Sequence, residues 1–268
     1  MPKPNTVKGT KDLFGQDLLD HEYINDIFSG ICSFFNYENV STPILEHSKT
    51  FTKTLGTSSD IISKEIYNFI DQGGDHLVLR PEGTAAVARA IITNSLQDKL
   101  SHKYFYSGPM FRRERPQSGR LRQFHQVGLE VFDDGNFLND VEIILIAERF
   151  LELLDIKKKV RLEVNTLGSL ESRKKYVDVL LDFFQKKKNR LSVESKKKLD
   201  LNPLRILDSK NQEDNDIIKE APKLIDFLDE KSKLFFNNFI DSLKILKIDF
   251  SINHFLVRGL DYYNHTAF

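Results

Sequence analysis

The stretch Phe111-Arg112-Arg113-Glu114-Arg115-Pro116-Gln117-Ser118-Gly119-Arg120-Leu121-Arg122-Gln123-Phe124-His125-Gln126-Val127-Gly128-Leu129-Glu130-Val131-Phe132 decides how this chain folds. Residues 103–114 and 121–133 read as two strands of a hairpin, joined by the polar loop Arg115–Arg120. In the second strand the odd positions Val127, Leu129 and Val131 form an apolar face, which is expected to be core. The even face carries Gln126 and Glu130 on either side of Gly128, which has no side chain. That face is expected to be a shelf with room for a small molecule. A carboxylate at Glu130 suits a protonated amine or an imidazole N–H. In the first strand Arg112 and Glu114 share a face with Tyr106 and Gly108, and an arginine there suits a phosphate or carboxylate. Arg112, Arg113, Arg115, Arg120 and Arg122 crowd the hairpin. Either bound anions compensate them, or they form ion pairs on a solvated tip.

Outward from the hairpin, Tyr23, Ile27, Ile31 and Phe34/Phe35 recur at helical spacing and predict a helix over 18–36. A short extended stretch, Asn39–Pro43, follows. His76–Arg80 reads as a strand, Pro81-Glu82-Gly83 as a turn, and Thr84 as the cap of an alanine-rich helix over 85–97. The carboxylate and hydroxyl of Glu82 and Thr84 are consistent with capping alone or with a binding site. Val141, Ile144, Ala147, Leu151 and Leu154 predict a helix capped by Asp140, and Val160–Thr166 alternates as a strand. Over 169–247 strand signals vanish and helical spacings take over, at Tyr176, Leu180 and Phe183/Phe184, then Phe235, Phe239, Leu243 and Leu246. Strand character returns at Asp249–Val257. The expected division is therefore 1–168, a helical insertion 169–247, and a return to the first region over 248–268. The cluster Leu256-Val257-Arg258-Gly259-Leu260-Asp261-Tyr262-Tyr263 is compatible with a pocket lining or with a structural tyrosine pair.

Composition narrows the function. The 268 residues carry 39 basic and 39 acidic side chains, so the chain is not a wholly basic nucleic-acid binder. The zero is a sum of unlike parts. Lys157–Lys198 has 14 basic against 5 acidic residues, and Asp200–Glu230 has 9 acidic against 4 basic. Such blocks fit solvated helix faces as well as a polyanion partner. The single cysteine, Cys32, excludes an internal disulfide and fits a reducing, cytoplasmic setting. No apolar run is long enough to cross a membrane. There is no Walker-type loop or dinucleotide fingerprint. The seven histidines show no metal-ligand spacing, and His125, in phase with Val127, is expected in the core or behind the site.

Taken together, Val7-Lys8-Gly9-Thr10-Lys11-Asp12, Leu79–Ala85, Phe111–Gln117, Arg122–Gln126, Asn202–Lys210 and Leu256–Tyr263 resemble the histidyl-tRNA synthetase family, in order along the whole chain. Phe111-Arg112-Arg113-Glu114 resembles the second signature motif of class II synthetases. Arg113 departs from the histidine more often found there. The helix 18–36 resembles the first motif. The resemblance implies an α+β fold, a mostly antiparallel sheet flanked by helices with a helical insertion, and a homodimer. It implies activation of histidine by ATP with Mg²⁺, then transfer to the 3′ end of tRNA(His). Glu82, Gly83, Thr84, Gln126, Glu130, Arg258, Tyr262 and Tyr263 would hold histidine. Arg112, Glu114 and Arg120 would bind ATP, with Arg112 and Arg258 stabilising charge at the α-phosphate. Arg115 and Gln117 would approach the tRNA acceptor end, and the basic part of 169–200 its stem. No protein-only metal cage is implied. The third class II motif is expected to lie beyond Phe268, so the chain is expected to be an N-terminal catalytic fragment with reduced or no activity alone. The alternatives are a synthetase-like, histidine-binding regulatory subunit of histidine biosynthesis, and a non-catalytic dimerisation or RNA-binding module.

Overall fold

Helix α1 (Gln16–Phe34) opens the computed structural model, which describes residues 4–55, 65–97, 102–114, 119–133, 135–258 and 263–268. The chain divides into two units, Met1–Asn136 with Ile146–Ile156, and Phe137–Leu145 with Lys157–Phe268.

In the first unit α1 turns Phe28, Ile31 and Cys32 inward. The inner stripe is rotated from the expected one, because Tyr23 and Phe34 are exposed and Phe28 takes the buried position against Phe105 and Phe150. Leu18, Leu19, Tyr23 and Ile24 leave an exposed apolar face on the same helix. There follow β1 (Glu38–Asn39), β2 (Leu45–His47), α2 (Ser48–Leu55), β3 (Tyr67–Ile70), β4 (His76–Leu79), α3 (Thr84–Thr93), β5 (His102–Phe111), β6 (Gln123–Phe132) and α4 (Phe137–Leu153), the last shared between the units. The strands form two sheets, β1-β5-β6 and β2-β4-β3, antiparallel except for the β1–β5 pair.

The long β5–β6 ladder is the predicted hairpin, with His102 opposite Phe132 and Phe111 opposite Gln123. Val127, Leu129 and Val131 pack against the α1 cluster, as their alternation predicts. The other face is not open. Phe124 and Phe132 pack with Tyr104, Tyr106 and Met110 against Val87 and Ile91 of α3, so both faces of the hairpin bear on apolar neighbours. Helix α3 ends at Thr93 rather than 97, where Asn94 closes the last turn and Ser95 takes a positive φ of 52°. Asp140 does not cap α4; it lies inside the first turn of a helix that begins at Phe137.

In the second unit β7 (Glu163–Gly168) is central. Between β7 and residue 247 lie α5 (Leu170–Lys186), α6 (Val193–Leu199), α7 (Gln212–Lys219) and α8 (Glu230–Ile245), with short 3₁₀ turns and no strand among the described residues. Tyr176, Leu180 and Phe184 anchor the core of this helical stretch with Leu199, Ile206 and Ile217. Phe236, Phe239 and Leu243 of α8 pack on Val164. The strand expected over 249–257 shrinks to β8 (Ser251–Ile252). Asn253 ends it, accepting the Phe255 amide on its side chain (3.1 Å) and the Leu256 amide on its carbonyl (3.0 Å). β8 runs parallel to β7, and β9 (His265–Ala267) pairs with β7 antiparallel on the other side. Antiparallel pairings thus predominate, as expected, but over three short sheets.

Two aspartates tie helix starts together in this unit. Asp214, fully buried, accepts the amide (2.8 Å) and hydroxyl (2.8 Å) of Ser192 and the hydroxyls of Ser195 (2.6 Å) and Ser209 (2.6 Å). Asp229 caps α8 through the Ser232 amide (2.8 Å) and accepts the hydroxyls of Ser169 (2.6 Å) and Ser172 (2.8 Å) at the start of α5. Carboxylates at helix N-termini are favoured by the exposed amides there. The bonds to both carboxylates hold them below the ordinary aspartate range.

Candidate functional site

Glu82 stands at the turn between β4 and α3 with only 5% of its surface exposed. It, rather than Thr84, caps α3, accepting the amides of Thr84 (2.8 Å) and Ala85 (2.9 Å). That frees the Thr84 hydroxyl to donate across to Glu130 Oε1 on β6 (2.7 Å). Between them stands Tyr106 of β5, itself 5% exposed, whose hydroxyl accepts from Gln126 Nε2 (3.0 Å). The hairpin register puts Tyr106 directly opposite Gly128. A Cβ built on Gly128 would sit 2.3 Å from the Tyr106 ring carbon Cζ, and one on Gly83 2.1 Å from it. The space over Gly128 is therefore not the vacant shelf expected. It holds an aromatic ring, and the two glycines exist to admit it. Gly128→Ala is expected to destabilise the fold by about 2 kcal/mol, the cost of overpacking a filled site, read as a drop in chemical-denaturation midpoint.

Two carboxyls, Glu82 and Glu130, thus lie in one buried cluster. Burial raises both, Glu130 to about 7. Hydrogen bonds from Thr84 and Tyr106 draw Glu130 down and the Glu82 charge pushes it up, but desolvation outweighs them. A carboxyl raised on folding stabilises the fold while it is protonated. For Glu130 that contribution is full below about 4.5 and is lost as pH rises through about 7. Glu130→Gln, a neutral isostere, is expected to melt above wild type at pH 8, with the gap closing toward pH 4.5. A gap independent of pH would contradict the reading.

Arg112 follows β5. Its Nε donates to the Pro81 carbonyl (2.9 Å), its guanidinium carbon lies 5.0 Å from the Phe124 ring centroid, and its charge lowers the Glu82 pKa against the effect of burial. Its fork is held flat beside the acid cluster. Arg120 pairs with Glu114 (3.0 Å) at an exposed position, so the surface ion-pair alternative describes this pair. Arg122 is a scaffold residue, with its amide on the Gly9 carbonyl (2.6 Å) and its carbonyl accepting from the Arg112 amide (3.0 Å). His125 is exposed rather than core, its ring edge-on to His21 at 4.7 Å. Arg115 and Gln117, expected near the tRNA end, and Tyr262, expected in the histidine pocket, lie outside the described residues. Arg258 and Tyr263 belong to the second unit; Arg258 is exposed, and the Tyr263 carbonyl accepts from Arg173 Nη1 (2.9 Å). Among the described residues no three His, Cys, Asp or Glu side chains converge as a metal cage.

The cluster brings together Glu82, Gly83, Thr84, Gln126 and Glu130, with Arg112 at its edge. Sequence reading missed the centrality of Tyr106. Its signal was available, since a large ring and a glycine fall opposite each other once the hairpin register is written out.

The α+β architecture is that of an aminoacyl-tRNA synthetase. Apo histidyl-tRNA synthetase of S. aureus superimposes with a TM-score of 0.76 at 30% identity, covering 98% of this chain and 60% of that one. The chain belongs to the histidyl-tRNA synthetase family, whose model matches residues 9–268. The histidine--tRNA ligase of Orientia tsutsugamushi (strain Ikeda) is 45% identical over 267 residues, 99% of this chain and 63% of its own length. The chain thus spans less than two thirds of these relatives. A Bacillus halodurans C protein, described as an ATP phosphoribosyltransferase regulatory subunit/histidyl-tRNA synthetase, shares the fold with a TM-score of 0.66 at 20% identity.

Proposed function

We propose that this chain carries the amino-acid-activating part of a histidine--tRNA ligase. The observation that carries the reading is the buried pair Glu82 and Glu130, two acceptors set among Thr84, Tyr106 and Gln126. Such a site calls for a ligand rich in N–H donors and positive charge, and histidine offers an ammonium group and an imidazole. In this reading Glu82, Thr84, Gln126 and Glu130 take chiefly the ammonium, with Glu130 also near the imidazole N–H, and the family resemblance assigns Gly83, Tyr262 and Tyr263 to histidine binding as well. The histidine carboxylate attacks the α-phosphorus of ATP, and pyrophosphate leaves. Arg112 and Arg258 neutralise the charge gathering on the α-phosphoryl oxygens, while Glu114 and Arg120 attend the remainder of ATP. Positioning and charge neutralisation suffice for this transfer. Mg²⁺ accompanying ATP would supply charge shielding for the phosphates, beside the arginines named above. The adenylate then passes histidine to the 3′ end of tRNA(His), with Arg115 and Gln117 at the acceptor end.

The exposed apolar residues Leu18, Leu19, Tyr23 and Ile24 of α1 support a homodimer. The all-helical composition of 169–247 supports its reading as an insertion, between 1–168 and 248–268, with the basic part of 169–200 at the acceptor stem. The cytoplasm is the proposed setting, and no described helix is long and apolar enough to cross a membrane. Calorimetric titration of the chain with each amino acid tests the pocket. Histidine alone is expected to bind; binding of another amino acid instead, or of none, overturns the reading. The regulatory-subunit alternative shares the histidine pocket and predicts no association with tRNA(His), so a tRNA titration separates the two.

A further inference from the structure

Residues 4–15 add nothing to a core: none of them is buried, and Val7 and Phe14 stand exposed. The stretch Val7-Lys8-Gly9-Thr10 is nevertheless a closed turn. The Thr10 amide (2.9 Å) and hydroxyl (2.8 Å) both bond to the Val7 carbonyl, and Gly9 sits at φ 86°, where a side chain is strained. The turn aims the Gly9 carbonyl at the start of β6, where it accepts the amides of Arg122 (2.6 Å) and Gln123 (3.3 Å). Phe111 opposite Gln123 is the last pair of the β5–β6 register, and beyond it the Arg122 carbonyl accepts the Arg112 amide (3.0 Å). Arg122 is thus held between Gly9 and Arg112. Its side chain crosses the turn so closely that a Cβ on Gly9 would lie 2.8 Å from its Cγ. On the far side the Arg113 amide bonds to the Glu65 carbonyl (2.6 Å). Burial does not explain why this exposed segment is shaped by a glycine and bonded where Arg112 leaves the hairpin.

We infer that Gly9 is a positioning residue for Arg112. Acting through Arg122, its carbonyl fixes where the Arg112 backbone leaves β5, and so where the guanidinium stands over Phe124 and beside Pro81. All of these residues lie in the first unit. The inference rests on the proposed role of Arg112 and is tested apart from it. In the 268-residue chain the readouts are hydrogen exchange of the Arg112 amide and the NMR resonance of Arg112 Nε. The Ala85 amide, bonded to Glu82 (2.9 Å), is the control. Gly9→Ala sets a Cβ against Arg122 and strains the turn. It is expected to speed Arg112 amide exchange roughly tenfold and to shift the Nε resonance, with Ala85 within about twofold. Removal of residues 1–9, which takes away the acceptor and adds no clash, is expected to do the same. In the proposed ligase Gly9→Ala is expected to lower kcat for histidine-dependent ATP–pyrophosphate exchange roughly tenfold, with the KM for histidine within about twofold. No change at Arg112 in either variant overturns the inference, as does equal acceleration at Arg112 and Ala85. Failure of both variants to melt cooperatively makes the turn a determinant of folding and overturns it too, as does an unaltered kcat in Gly9→Ala beside a slowed Arg112→Ala enzyme. If Arg112→Ala itself leaves the exchange reaction unaltered, the role of Arg112 fails, and the NMR readouts still decide whether Gly9 places it.

Discussion

Arg112→Ala is expected to slow histidine-dependent ATP–pyrophosphate exchange by about 10²–10³-fold, about 2.7–4 kcal/mol of transition-state stabilisation, in the proposed ligase. The size follows from how the side chain is held. Its Nε is committed to the Pro81 carbonyl and its plane lies over Phe124, so little reorganisation is needed when charge develops on a phosphoryl group. Its two terminal nitrogens give the guanidinium the geometry for a two-pronged contact with a phosphate. Arg112→Lys is expected to recover only part of the loss, because an ammonium has neither the fork nor the stacking face. The effect should fall on kcat, with the KM for histidine changed several-fold at most. An Arg112→Ala enzyme with unaltered exchange would remove the catalytic reading and favour the non-catalytic module.

Asp214→Ala is expected to cost about 4 kcal/mol of stability, measured by urea unfolding at neutral pH, near the upper end for a single substitution. Four hydrogen bonds converge on this carboxylate from Ser192, Ser195 and Ser209 in a site with no exposed surface. Removing the acceptor leaves an amide and three hydroxyls buried around a void. A carboxyl whose pKa is lowered on folding stabilises the fold above its unfolded value, and that contribution is lost as pH falls through the lower folded value. The difference between wild type and Asp214→Ala should therefore hold from pH 7 to about 5 and narrow only below the ordinary aspartate range. A cost under about 1 kcal/mol would show that the serines find other partners.

The parts of this molecule that were legible in advance are those governed by short periods. Alternation at Val127, Leu129 and Val131 located the hairpin and its inner face, and the spacing of Tyr176, Leu180 and Phe184 located the inner side of α5. The residues resembling the synthetase family picked out Glu82, Thr84, Gln126 and Glu130, which do lie together. What escaped was set by pairing between distant residues. Alternation could not say that Tyr106 stands on Gly128, because that follows from register. It could not say that α3 covers the hairpin's second face, because helix packing leaves no trace in a strand's own pattern. Thr84 was the natural cap by residue type, yet Glu82 takes that task and releases the hydroxyl to Glu130. The serine partners of Asp229 lie as far as 60 residues away and could not be found by scanning neighbours.

That distance has a consequence of its own. The Asp229 knot joins Ser169, at the entrance to α5, with Ser232 at the start of α8, and the Ser169 amide bonds back to the Ser232 hydroxyl (3.2 Å). The chain that leaves β7 is therefore gathered at a neck before its excursion begins and again where it ends. In a protein with one cysteine, this polar knot does what a crosslink does elsewhere, holding the two ends of a long loop side by side. Once a loop is closed at its base, doubling its length costs only about 0.6 kcal/mol. The helical excursion can therefore be lengthened, shortened or exchanged while the strand from which it springs stays in place, which makes it the part of the chain most open to remodelling.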